Sequence, residues 1–238
     1  MTRTPITRIF VDLALEPGTA LELPDGEARH VLRVLRGREG DALEVVDSEG
    51  ALFLAELGAG SEATVLEALE CYEEARLSLY QAVPKGGRMD LVVEKATEVG
   101  ATRIVPLLTE RGLVRPRDAK VGRWRRVAEA AARQSLRLGV PEVAEPVGFS
   151  EAIREAGTGG VLLHNDPELE PLEAAVRAPA SLFVGPEGGW SGEELRLAEE
   201  AGLVFAQLGP YRLRSETAGV VAAARARAAM ERYVRETG

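Results

Sequence analysis

The chain of 238 residues has a single cysteine, Cys71, which excludes an intramolecular disulfide framework and any cysteine-rich zinc or iron–sulfur site. Two histidines, His30 and His164, are too few for a histidine-rich metal centre, and no metal is expected. No apolar run approaches the ~18–20 residues of a membrane span, and the N-terminal segment has no signal-peptide core. A soluble cytoplasmic protein with no membrane partner is therefore expected. Neither a Gly-x-Gly-x-x-Gly dinucleotide fingerprint nor the Gly-Lys-Ser/Thr of a phosphate loop occurs anywhere in the chain. Lysine is also scarce. Of 29 basic residues only Lys85, Lys95 and Lys120 are lysines, and the rest are arginines. The planar fork of arginine suits phosphate recognition, although a genomic or thermal composition bias would produce the same excess.

What is present is an ordinary globular composition, 45% hydrophobic and 28% charged, in a length that allows one large domain or a small one plus a medium one. The net charge of −9 speaks, as a total, against a polyanionic partner. Its distribution reverses that inference. Residues 29–38, RHVLRVLRGR, hold four arginines and no acid, and residues 85–137 hold 13 basic against 6 acidic residues. One such run is accounted for by a solvated helix face; two of the same sign point to a patch that tracks phosphates. Arg29, His30, Arg33 and Arg36 in the first run, and Lys85, Arg88 and Arg123 in the second, are the candidate RNA contacts. Trp124, among arginines, either stacks a base or packs into a core.

Residues 1–72 read as short period-2 strands with glycine punctuation, interrupted by a helix over GEARHVLRVLRG, which suggests a small antiparallel barrel. From residue 73 onward the rhythm is strand, helix, strand, which predicts a parallel α/β sheet. Helices are predicted over RMDLVVEKATEVG, over GRWRRVAEAAARQSLRLG closed by Gly139, near LEAAVR, over SGEELRLAEEAG with Ser191 and Glu194 as a capping box, and over ETAGVVAAARARAAMERYV. Strands are predicted at RLSLYQAV, RIVPLL, GVLLHND, SLFVG and VFAQL.

Ligands of open α/β sheets bind beyond the carboxyl ends of the strands, so three strand ends carry the interest: LLHND, LFVGPEGGW and AQLGPYRLRSETAG. GPEGGW at 185–190 places three glycines, a proline and one ionisable group, Glu187, between a buried strand and a capped helix. That is either a tight turn or a loop whose backbone must approach a ligand closely. LGPYRLRSETAG at 208–219 is a second Gly-Pro loop, with Arg212, Arg214, Ser215, Glu216 and Thr217; Ser215 or Thr217 also suits a helix cap. His164 ends its strand, where a lone histidine is either structural or catalytic. Cys71 sits at the domain junction with nothing to activate it.

Together these segments resemble the RsmE family of small-subunit ribosomal RNA methyltransferases, collinearly over nearly the whole chain. The resemblance is carried by RHVLRVLR, by KGGRMDLVVEKATEVGATRIVPLLTERG with Lys85, Lys95, Glu98, Glu110 and Arg111, by Arg123-Trp124, by RQSLRLGVPEV with Gln134, Ser135, Arg137 and Pro141, and by LFVGPEGGWS and LGPYRLRSETA. Arg133, Glu94 and Ser215 stand where the family usually has Glu, Gln and Thr. The resemblance implies a SPOUT-type parallel α/β domain with a C-terminal trefoil knot over residues 73–238, preceded by a PUA-like β-barrel that binds RNA over residues 1–72. It implies methylation of N3 of one uridine in 16S ribosomal RNA with S-adenosylmethionine as cofactor, and a homodimer acting on the RNA or on the 30S subunit.

The cofactor residues so implied are Leu163, His164, Gly185, Glu187, Gly188, Gly189, Leu208, Gly209, Leu213, Arg214, Thr217 and Ala218. The N3 of uridine is protonated at neutral pH, so the enzyme must remove that proton or stabilise the anion. Arg214 and Arg137 are the candidates for the second task and Glu187 for the first. On the residues alone, a knotted methyltransferase of another RNA site and a non-catalytic RNA-binding or ribosome-assembly module stay open. A metabolic α/β enzyme would leave the basic segments and the barrel without a purpose.

Overall fold

A computed structural model describes residues 4–70, 74–116 and 118–237; Cys71 and the expected boundary at residues 72 and 73 lie outside them. The chain divides into two units, Met1–Glu73 with Ala132–Gly139, and Glu74–Ala131 with Val140–Gly238.

In the first unit the alternating segments become β1 (Arg8–Phe10), β2 (Ala20–Glu22), β3 (Ala42–Val46), β4 (Leu52–Leu57) and β5 (Glu62–Leu69). Between β2 and β3 run α1 (Asp25–Arg29) and a π-helical turn, His30–Val34. The strand order is β1-β3-β4-β5-β2. The expected all-antiparallel sheet is corrected in one place: β1 pairs parallel to β3, with Ile9 opposite Val45. A helix lies between those two strands in the chain, and a long crossover is what a parallel return needs. Period 2 turns Leu43 and Val45 inward onto Ile9, Val31, Leu57 and Val65. The buried carboxylate of Glu27 on α1 pairs with Arg133 Nε at 2.7 Å, and Arg8 pairs with Glu44 at 2.7 Å.

The second unit is a seven-stranded parallel sheet. Its elements are β6 (Leu77–Ala82), α2 (Met89–Glu98), β7 (Arg103–Leu108), α3 (Asp118–Gln134), β8 (Glu142–Val143), β9 (Val147–Gly148), α4 (Phe149–Ala156), β10 (Val161–Leu163), α5 (Leu172–Ala175), β11 (Ala180–Val184), α6 (Gly192–Glu200), β12 (Val204–Ala206) and α7 (Ser215–Thr237). The order is β12-β10-β11-β6-β7-β8, with β9 also on β7. Helices cover both faces, so β6 is buried at every residue and reads as a continuous apolar run broken by Ser78 and Gln81. Leu77, Leu79 and Leu182 pack on one face with α2 and α7; Tyr80 and Phe183 stack on the other, ring centroids 4.5 Å apart.

The long basic helix ends earlier than expected. Gly139 does not close it; Leu136 does, at φ 54°, with Leu136 N–H donating to Arg133 O and Arg137 N–H to Ala132 O. This pair of bonds is the Schellman closure, here with leucine where glycine is usual.

The register decides where the site lies. Leu163 is opposite both Val184 and Ala206, and Val184 is opposite Gln81. Strands β10, β11, β12 and the end of β6 therefore finish level. Beyond β11, α6 starts with the full capping box: Glu194 N–H donates to Ser191 Oγ at 3.2 Å, and Ser191 N–H to Glu194 Oε2 at 2.8 Å. Ser191→Ala should lower stability by about 1 kcal/mol in urea unfolding, with the slope of the transition unchanged.

Candidate functional site: a cleft at three level strand ends

The loops that leave β10, β11 and β12 enclose a cleft of about 520 Å³. Each loop is anchored by a different bond. Trp190, buried after the β11 loop, donates its indole N–H to Leu163 O at 2.9 Å, joining the β10 and β11 loops beneath the cleft. Ser215, at the start of α7, donates its hydroxyl to Gly185 O at 2.7 Å, joining the β12 and β11 loops. Gln81 at the end of β6 is wholly buried and donates from Nε2 to Ser215 Oγ at 2.9 Å and to Ala82 O at 2.9 Å. Arg111 holds the β11 loop from outside, donating to Trp190 O at 2.9 Å and Gly188 O at 3.2 Å.

Two glycines in the wall have backbone that side chains rarely adopt, Gly189 at φ +69° and Gly209 at φ +121°, each with open space where a Cβ would point. Leucine side chains and Ala218 supply an apolar lining; Arg212, Arg214 and Glu187 supply the charge. Arg214 is exposed in the wall and, among the described residues, has no carboxylate partner. Glu187 accepts Lys85 N–H at Oε1, 3.1 Å away. Such a cleft can hold a flat or flexible ligand through main-chain groups and leave one cation facing whatever enters beside it.

The structure brings Leu163, His164, Gly185, Glu187, Gly189, Leu208, Gly209, Leu213, Arg214 and Ala218 into the wall. Gly188 and Thr217 are not part of it. Gly188 turns towards Arg111, whose Cβ would lie 3.3 Å from a Cβ added there. Thr217 is exposed on α7, where the helical period presents Ser215 and Ala218 to the cleft. Arg137 is also outside the wall; it lies in the segment Ala132–Gly139 of the first unit and its residue is 6% exposed. Arg29, Arg33 and Arg36 are exposed and His30 is partly so. Lys85 is exposed, Arg88 pairs with Glu216 at 2.9 Å, and Arg123 pairs with Asp90 at 2.6 Å. Trp124 is a core residue, 3% exposed, donating to Asp90 Oδ1.

Residues 72–227 match the family of RNA methyltransferase domains, and residues 23–65 match the RNA methyltransferase PUA domain. A protein of Synechocystis sp. named ribosomal RNA small subunit methyltransferase E is 36% identical over 221 residues, which cover 88% of this chain and 73% of the relative. The chain belongs to the RsmE family. An RsmE relative from Mycobacterium bovis is 32% identical, covering 90% of this chain and 88% of the relative. A solved RsmE structure from Neisseria gonorrhoeae, described as bound to S-adenosyl methionine, superposes with a TM-score of 0.84 at 31% identity, covering 94% of this chain and 98% of that one.

Within this RsmE chain, Trp190, Ser215, Arg111 and Gln81 build the site although none of them was expected among its cofactor or catalytic residues. Trp190 and Ser215 stand inside the two quoted loops. The signal for Gln81 was a lone amide ending an apolar strand, since a buried polar side chain needs partners. Gly219 on α7 shows how tightly that amide is enclosed, because a Cβ there would overlap Gln81 Oε1. Gly219→Ala should therefore cost about 1–3 kcal/mol by overpacking, read by urea unfolding. Adding Gln81→Ala should recover part of that loss, and a strictly additive double variant would contradict the contact.

Proposed function

We propose that the chain transfers the methyl group of S-adenosylmethionine to N3 of a uridine in the RNA of the small ribosomal subunit. The observation that carries this reading is the cleft of about 520 Å³ over three level strand ends, lined by glycine-bearing loops and leucines and carrying Arg214, which has no carboxylate partner among the described residues, in a member of the RsmE family. The cofactor fits these residues. The open faces of Gly189 and Gly209 admit a ligand against the backbone, and Leu163, Leu208, Leu213 and Ala218 give an adenine apolar walls. When bound it supplies a methyl group on a sulfonium, ready for in-line displacement.

The chain's own part is positioning and electrostatics. Arg214 stabilises the negative charge that develops on a uracil oxygen as N3 loses its proton. Glu187, in the wall, is the group that takes the proton. Arg137, buried outside the cleft, is kept only as a positioning residue of the first unit. Residues 1–72 act as the RNA-binding PUA-like module through Arg29, Arg33 and Arg36, and residues 73–238 carry the catalysis. We extend the reading to a cytoplasmic homodimer and to a trefoil knot in the catalytic unit; the position of β11 between β6 and the earlier strand β10 supports the knot.

Mass spectrometry of small-subunit RNA nucleosides tests the reaction: a deletion strain should lack one 3-methyluridine, and an unchanged level would overturn the assignment. Arg214→Ala should lower the single-turnover rate on the order of 10²-fold with cofactor affinity close to wild type. Gly189→Val should abolish cofactor binding in calorimetry, because valine suits neither the positive φ nor the ligand's approach.

A further inference from the structure

A second groove, of about 430 Å³, lies on the catalytic unit between the loop after β6 and the start of α3. Gly86 and Gly87 form one side, at φ +69° and +75°, each with open space where a Cβ would point. Lys120 and Arg123 form the other, above the buried ring of Trp124. The one acid in the groove, Asp90, is engaged by Arg123 at 2.6 Å and by the Trp124 indole N–H at 3.0 Å. Lys120 is exposed and, among the described residues, has neither ion pair nor hydrogen bond. The groove thus offers a free cation facing a bare stretch of backbone. One hydrogen bond ties its edge to the cleft: Lys85, next to Gly86, donates its backbone N–H to Glu187 in the cleft wall.

We infer that this groove is a phosphate subsite, taking a phosphodiester of the RNA strand whose neighbouring nucleotide enters the cleft. The inference rests on the RNA-methylating reading above. Lys120 supplies the charge, Gly86 and Gly87 the close backbone approach, and the Lys85–Glu187 bond holds the groove in register with the cleft. An isolated inorganic phosphate has the same chemistry, and the experiment separates the two.

Binding of small-subunit ribosomal RNA is measured over a range of salt for wild type, Lys120→Ala and Gly87→Val, with S-adenosylmethionine affinity and thermal melting as controls. Lys120→Ala should weaken RNA binding about 3–10-fold and reduce the slope of log affinity against log salt by about 1. Gly87→Val should weaken RNA binding by obstruction with little change in slope. Cofactor affinity should be unchanged in the lysine variant, whose exposed side chain leaves melting unaltered. Wild-type affinity and slope in Lys120→Ala would overturn the subsite while leaving the methyltransferase reading intact. So would Lys120-dependent binding of inorganic phosphate alongside RNA binding that ignores Lys120. A wild-type protein that neither binds nor methylates the RNA would overturn both.

Discussion

The hydroxyl of Ser215 receives one hydrogen bond from the buried amide of Gln81 and gives another to the carbonyl of Gly185. Those two bonds connect the central strand β6, the loop after β11 and the first turn of α7. A further contact between the β11 and β12 loops, from the Arg212 side chain to Glu187 O, is longer at 3.4 Å. A hydroxyl suits this role because it donates and accepts at once, and burial strengthens both bonds while penalising the loss of either. Threonine, which the family usually has at this position, carries the same hydroxyl, so the serine here keeps the linkage and omits only a methyl group.

Much of the fold was legible because it is local. The capping box at Ser191 and Glu194, the turn from period 2 to strand–helix alternation, and the apolar strands β6 and β11 are each written in a few adjacent residues. What escaped was set by distant partners. Nothing near β1 says that it will run parallel to β3, and nothing near Leu136 says that a leucine will take the left-handed position that closes α3. In the site, the two loops were visible through their glycine and proline, whereas the orientation of each residue was not. Gly188 and Thr217 stand in these loops but outside the cleft wall, Gly188 beside Arg111 and Thr217 exposed on α7. Gln81 was hidden for the opposite reason, as a single polar residue in a strand otherwise read by its apolar character.

The other two departures from the family pattern also find partners within the chain. Glu94 contacts the neighbouring Lys95 at 2.7 Å, and hydrogen bonds to Glu94 and then Glu98 push that lysine above its ordinary range. Both groups are well exposed, so the effect on stability is small. Arg133 is the more consequential change, because its partner Glu27 is buried.

That pair links two stretches of chain more than a hundred residues apart inside one unit, and it has an evolutionary consequence. A carboxylate held at 3% side-chain exposure tolerates replacement of its arginine poorly, since the remaining charge would stay desolvated at a cost of several kcal/mol. Glu27 and Arg133 should therefore be inherited as a couple. A recombinant that took residues 1–72 from one relative and the remainder from another could retain every loop of the cleft and still fail to fold, through a mismatch at two positions that touch no ligand.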